Sequence, residues 1–414
     1  MDNSSPANEQ LLSPTPFLGV APFLRANISG VDLRPLAQET LAQAERYQTD
    51  PELWMNLSVA LQCIGQRDIG LVVQDQALSM KRTYRLAATI QPAQFRLLVL
   101  FVPGDIAANT PIDCLMEDSD VDLIFYYVSA KEPFEEAIPE HDALLVGISD
   151  SDENRVTLKA LERALEKWPK PIINAPQYIQ NTGRDAASRL LHNIPGLLIP
   201  PTLRATRAEL DDIATGQMQL AERFPECPFP IIVRPLDSQA GRDLDRINNP
   251  QEMAAYLAKV DDSDFYISRF IDYSGKDGLY RKFRIALIDG KAFACHMAIS
   301  SNWMVHYVNA GMYEDAQKRE EEAAFMQHFE GFAQRHQAAL SAVHLRTKLD
   351  YVCLDCAETP DGQLLVFEID HVMVVHAMDP YQLFPYKQFH MQKVIDAFRG
   401  YLSHISTNRQ STEK

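Results

Sequence analysis

Basic residues are in short supply. The chain has 39 Lys and Arg against 56 Asp and Glu in 414 residues, a formal charge of −17. A sequence-independent grip on nucleic-acid backbones needs a basic face, so that class of function is excluded. A bound nucleotide is not, because one metal ion and a few cations suffice for it. Six cysteines, widely scattered, cannot form a disulfide framework. The longest apolar runs, such as 97–102, are far shorter than the ~20 residues a membrane helix needs. The opening Met-Asp-Asn-Ser-Ser is polar and acidic, without the pattern of a secretory signal. These absences give the expectation of a soluble, reduced, cytoplasmic protein with no nucleic-acid or membrane partner. What is present is ordinary globular material: 46% hydrophobic and 23% charged residues, enough for roughly two to three domains.

Residues 1–30 are rich in Pro, Ser and Asn and read as a loose arm. Leu36, Leu41 and Ala44 suit an amphipathic helix, and Trp54, Leu57, Leu61, Gly65, Gly70 and Ala77 fall at the spacing of a tetratricopeptide hairpin. Only one such unit is evident. It is either a helical cap on the next domain or a platform for a protein partner. From residue 95 the texture changes. Runs at 97–102, 123–128, 143–148 and 171–174 suit strands buried on both faces. Between the last two lies a helix with Val156, Leu158, Leu161 and Leu165 inward, stopped at Trp168-Pro169. The alternation predicts a small open α/β sheet. Val102-Pro103-Gly104-Asp105 is no Gly-x-Gly-x-x-Gly, which disfavours a dinucleotide site.

After residue 180, helical patterns at 186–192, 207–224 and 250–260 surround strands at 231–233 and 265–271. Two hairpins follow, 283–288 with 292–299 around Asp289-Gly290, and 351–356 with 364–370 around Asp361-Gly362. Phe325, Phe329, Phe332 and His336 recur at helical spacing, predicting a single helix over 314–342. The tail from Thr407 is polar.

The second hairpin carries the sharpest inference. If Asp361 and Gly362 form a two-residue turn, Asp355 and Glu368 face each other directly, with Cβ atoms ~4.5–5.5 Å apart. Asp370 leaves the same face two residues on. Opposed like charges beside Val366, Phe367 and Ile369 call for a raised pKa or a cation. Oxygen-only ligands suit Mg²⁺ or Mn²⁺; the alternative is a solvated acidic face. Cys353 and Cys356 form a C-x-x-C, but residues three apart on a strand point oppositely, against zinc. His371 and His376 leave a mixed His/carboxylate site open.

With these residues in place, the stretch 95–395 resembles the ATP-grasp superfamily, in the branch of ribosomal-protein S6 modification enzymes and glutathione synthetases. The family's Asp, then Glu-x-Asn on the next strand, stands here as Asp355 and Glu368-Ile369-Asp370. Ile173-Asn174-Ala175-Pro176, Arg184-Asp185, the run 191–196 and Pro201-Thr202 look like the approach to the nucleotide-binding lobe. The strand 230–235 is similar to the one carrying a phosphate-binding lysine, with Arg234 in its place. Leu236, Asp237, Ser238, Gln239, Ala240 and Gly241 look like the loop over the β- and γ-phosphates. Tyr266, Ile267, Ser268, Arg269, Phe270 and Ile271 resemble the hinge strand beside adenine. A second lysine of many relatives is Ala186 here. Lys282 and Arg284 share one strand face, opposite Phe283, Ile285 and Leu287, and Arg284 matches the arginine near the transferring phosphate. Residues 302–311 match the stretch reaching the acceptor, making Trp303, His306 and Asn309 candidates for substrate recognition.

The resemblance implies an α/β and α+β multidomain fold: arm 1–30, tetratricopeptide-like helices 31–90, an open parallel α/β pre-ATP-grasp domain 91–182, lobes at 183–265 and 266–400 with antiparallel sheets, and a polar tail 401–414. It implies an ADP-forming carboxylate–amine ligase using ATP and Mg²⁺ or Mn²⁺, with Asp355, Glu368 and Asp370 as metal ligands. Arg234 and Arg284 are its catalytic cations, and the 237–241 loop closes against water. Substrates would be small-molecule or peptide acids and amines, and many relatives are homo-oligomers. Two rivals stand beside it: a kinase without ligation, and a nucleotide-regulated scaffold, which Ala186 and the glycine-poor loop favour.

Overall fold

A computed structural model describes residues 15–236, 238 and 241–410. The chain begins with four helices: α1 (Ala21–Ile28), α2 (Arg34–Arg46), α3 (Pro51–Cys63) and α4 (Arg67–Met80). The described part of the expected arm is therefore not loose. Its Phe17 and Phe23 are buried, and Asp113 accepts hydrogen bonds from the Val20 and Ala21 backbone N–H groups at 2.6 and 2.9 Å. Residues 1–14 lie outside the described residues. In α2 the buried face is Ala37, Thr40 and Ala44, while Leu36 and Leu41 are exposed, so small residues and not the leucines make the contact. The α3–α4 hairpin forms as expected. A Cβ on Gly70 would stand 3.1 Å from the Ser58 carbonyl, so glycine is what lets the two helices approach. Met55, Ala77 and Leu78 join the main core beneath the hairpin.

The first sheet contains β1 (Thr83–Leu86), β2 (Phe95–Phe101), β3 (Val121–Tyr127), β4 (Ala143–Val146) and β5 (Ile172–Ile173), ordered β1-β3-β2-β4-β5. All pairs are parallel except β1 with β3. The strands β3 and β4 are buried at every position, which is why they read as unbroken apolar runs. In the helix Arg155–Ala164, Leu158 and Leu161 point inward with Leu165 just beyond, but Val156 is exposed.

After the short β6 (Leu197–Leu198), a second, antiparallel sheet is built from β7 (Thr202–Thr206), β8 (Ile231–Pro235), β9 (Asp245–Ile247) and β10 (Asp264–Arg269), ordered β7-β10-β8-β9. It therefore runs past the expected boundary at 265. The expected helix at 207–224 is two, Arg207–Thr215 and Leu220–Arg223, parted by Gly216 at φ 78°.

The third sheet contains β11 (Tyr280–Ile288), β12 (Lys291–Ser300), β13 (Tyr351–Glu358) and β14 (Leu364–Asp370), ordered β12-β11-β13-β14-β6. Asp289 and Gly290 both have positive φ and close the first hairpin as predicted. The stretch 314–342 is not one helix but parts of three, Ala316–Gln327, Phe329–Arg335 and Gln337–Thr347, broken at His328 and His336. The breaks still bring Phe325 and Phe332 onto Phe283, at 4.6 and 5.2 Å between ring centroids. The final helix, Pro385–Gln410, carries the fully buried Leu402, so most of the expected tail is helical. The architecture is thus α/β and α+β, with a helical N-terminal region, a mostly parallel sheet and two further sheets that are antiparallel but for β6.

Candidate active site

The register of the second hairpin builds the site. Asp355 on β13 pairs with Glu368 on β14, and on its other side with Arg284 on β11, which faces His296 on β12. One row across four strands therefore reads His296, Arg284, Asp355, Glu368. The pairing was expected, but the route to it differs. The loop is Pro360, Asp361 and Gly362, closed by the Thr359 N–H on the Gln363 carbonyl (3.0 Å), with Gly362 alone at positive φ. That longer loop shifts the register by one, and a β-bulge between Asp355 and Cys356 shifts it back. The bulge leaves Phe367 unpaired, so Phe367 and Glu368, neighbours in sequence, both face one cavity.

That cavity, of about 500 Å³, lies between the second and third sheets. Ser268, Arg269, Phe270 and Ile271 line it from the end of β10, Arg234 from β8, Lys282 and Arg284 from β11, and Asp355, Glu368 and Asp370 from β13 and β14. Gly241, Trp303 and His306 also line it. Ser238 touches it indirectly: Arg234 donates through Nε to Ser238 Oγ at 3.0 Å, and through Nη2 to the Ser238 carbonyl. Asp237, Gln239 and Ala240 lie outside the described residues. Asn309 is not in the lining; its Oδ1 accepts the His306 N–H at 3.0 Å and shapes the loop.

Charges in the cavity neutralise one another. Asp355 accepts from Lys282 Nζ at 2.8 Å and from Arg284 Nε and Nη2 at 2.8 and 3.1 Å. Burial opposes its charge, but Arg284 and Lys282 overcome this and hold its carboxyl far below the usual range. Glu368 is paired with Arg184, which outweighs burial and the repulsion of Asp355. Asp370 has no such cation. Burial, with Glu368 adding repulsion, pushes it up to about 7. Among the described residues Arg234 has no carboxylate partner either; burial and the neighbouring Arg184 pull it down to about 10. Burial also lowers His306, with Lys282 adding to the effect.

Two expectations about metal need correction. Among the described residues, no three His, Cys, Asp or Glu side chains are grouped to hold an ion. Asp355 already accepts three hydrogen bonds from its two cations, which makes Glu368 and Asp370 the less engaged oxygens. Of the two histidines, His371 is fully buried, with Nε2 2.9 Å from the Ile148 carbonyl and Nδ1 3.6 Å from Asp370, and His376 Nδ1 accepts the Met378 N–H at 3.1 Å; among the described residues neither joins a group of three. A divalent cation fits what remains: two neighbouring carboxyls, one of them raised by burial and by the other's charge, whose proton an ion would displace.

Sequence reasoning missed Arg184 as a cavity residue. It was read as an approach motif, yet from the start of the helix Arg184–Leu190 its guanidinium lines the cavity and pairs with Glu368. Tyr273 and the stretch 372–374 were missed as well. The bulge that turns Phe367 inward has no local sequence signature.

No protein-family model and no curated protein matches the chain. Solved structures similar to it include the D-alanine–D-alanine ligase from Bacillus anthracis complexed with ATP, at 14% identity, covering 76% of this chain and 99% of that one, TM-score 0.46. The VanG D-Ala:D-Ser ligase from Enterococcus faecalis is similar at 11% identity, 74% and 99% coverage, TM-score 0.46. An ATP-grasp RimK domain protein from Sphaerobacter thermophilus is similar at 13% identity, 75% and 99% coverage, TM-score 0.41.

Proposed function

We propose that the chain is an ATP-dependent carboxylate–amine ligase of the ATP-grasp kind, releasing ADP and phosphate. The observation that carries this reading is the charged band of the cavity: Arg184, Arg234, Lys282 and Arg284 face Asp355, Glu368 and Asp370 beside an apolar hinge. A polyphosphate needs clustered cations and a metal seat next to an apolar slot for its base, and the band offers all three.

Arg234 and Arg184 hold phosphate oxygens. A phosphate that draws Arg184 away frees Glu368, so Glu368 and Asp370 would hold Mg²⁺ together with phosphate oxygens, as this ion prefers. An ion held by these two residues would supply charge neutralisation for the phosphates during transfer. Lys282 and Arg284, fixed by Asp355, present their remaining N–H groups to the acid substrate. The acid's carboxylate oxygen attacks the γ-phosphorus, the bond to ADP breaks, and an acyl phosphate forms. The amine then attacks the acyl carbon, loses a proton, and phosphate leaves. Positioning and electrostatics carry the first step. The turn around Gly241, lying against His306, shields the acyl phosphate from water.

The test is a melting curve with ATP and Mg²⁺, followed by incubation with candidate acids and hydroxylamine. Specific binding raises the melting temperature, and ligation chemistry yields a hydroxamate with ADP. ADP without trapped hydroxamate favours the kinase, and neither effect sinks the reading.

A further inference from the structure

The cavity has two apolar walls, one at each end of the charged band. One is the hinge wall, where Phe270 meets Trp303 edge to face at 5.8 Å and Tyr273 packs on Phe367 at 4.9 Å. The other is reached along β14 and its extension. Phe367 precedes the acidic pair Glu368 and Asp370, and Val372, Met373 and Val374 follow it. Along the chain the acids lie between the two walls.

The far wall is a built surface. Arg284 Nη1 donates to the Val374 carbonyl at 3.1 Å, fixing the loop against the cation that faces the acid. His371 anchors the same loop to the first sheet through the Ile148 carbonyl. Val374 packs with Ala21, Cys114 and Met378, so α1 backs the wall from outside. Ile106 comes from the first sheet's side, and Val305 and Met373 are only 3% and 8% exposed. Ile106, Val305, Val372, Met373 and Val374 bring this wall no charged side chain. An acid held by Arg284, which is bonded to Val374, would have this wall beside it.

We infer that the acid substrate carries an apolar body, aliphatic or aromatic, and is not a dicarboxylate or a cationic amino acid. This rests on the ligase reading. A polar substituent placed against Ile106, Val305 and Met373 loses its water without gaining a partner.

The experiment measures ADP release and hydroxamate formation with ATP, Mg²⁺ and a panel of carboxylic acids: leucine, phenylalanine and 4-methylpentanoate against glutamate, succinate and lysine. The apolar acids are expected to exceed the others at least tenfold in kcat/KM. Met373→Lys, with Ile106→Lys as a second variant should the first misfold, is expected to lower the leucine-to-glutamate ratio at least tenfold. Met373→Leu should keep the ratio. A dicarboxylate preferred by the unaltered protein, or a ratio unmoved by a folded lysine variant, overturns the inference alone. Absence of an ATP–Mg²⁺ melting shift together with no turnover of any acid overturns the ligase reading and the inference with it.

Discussion

Gly241 lies directly against His306: a Cβ on Gly241 would stand 2.6 Å from His306 Nε2. The glycine also holds φ at 74°, a conformation that costs an alanine about 1 kcal/mol. The turn at Gly241 and the loop of Trp303 and His306 therefore touch through a place where only glycine fits.

Gly241→Ala should cut ATP turnover more than tenfold while lowering global stability by only about 1 kcal/mol. Adding His306→Ala removes the clash. Steady-state kinetics on the double cycle should show the alanine at 241 costing less when His306 is gone; a strictly additive cycle would dissociate the two loops.

Glu368→Gln should abolish nearly all ADP release from a protein that still melts cooperatively. The amide keeps the size and drops the charge that pairs with Arg184 and would bind the ion. ADP formation at the unaltered rate would remove Glu368 from the metal role.

Arg234→Ala should weaken ATP at least tenfold by calorimetry. Its guanidinium is buried and, among the described residues, touches only the Ser238 backbone and hydroxyl, with no carboxylate paired to it. Equal affinity in the variant would deny it the phosphate.

Asp370 sets a pH dependence in the metal-free protein. Its folded pKa of about 7 lies above the ordinary carboxylate value, so between about pH 4 and 7 the folded chain keeps a proton the unfolded chain has released. Stability contributed by this group therefore falls as pH rises through that window. Asp370→Asn should be the more stable protein at pH 8 in chelator, by on the order of 1 kcal/mol or more, and the gap should close at pH 4. Denaturant titrations at the two pH values check this; a pH-independent gap would rule out the charge as its source.

Lys387 is 2% exposed and lies 3.0 Å from Asp379 and 3.3 Å from the fully buried Glu322, beneath the Tyr307 ring. Lys387→Met strands two acids and should cost about 3–5 kcal/mol in denaturant melts. Pairing it with Glu322→Gln should recover part of the loss.

How much of this was legible in the sequence depends on what local pattern can encode. Continuous apolar runs revealed the first sheet because strands buried on both faces need no polar alternation. Asp289-Gly290 revealed its hairpin because both residues accept positive φ. The Asp355–Glu368 pairing was also legible, though by two offsetting departures: a three-residue loop and a bulge, neither of which local residue types announce. Arg184 was hidden because its partner Glu368 lies 184 positions away in the chain. The leucines of α2 misled because small residues, with nothing in the pattern to mark them, make its close contact.

The hydrogen bonds from Val20 and Ala21 to Asp113 reach beyond the opening segment. Trimming the chain to begin after α1 would strand a carboxylate in a water-free setting and strip the backing from Val374. The half that holds the cavity is therefore not separable at the boundary its strands suggest. The first helix is masonry for the chamber some 350 residues further on, and its loss would be felt at that wall.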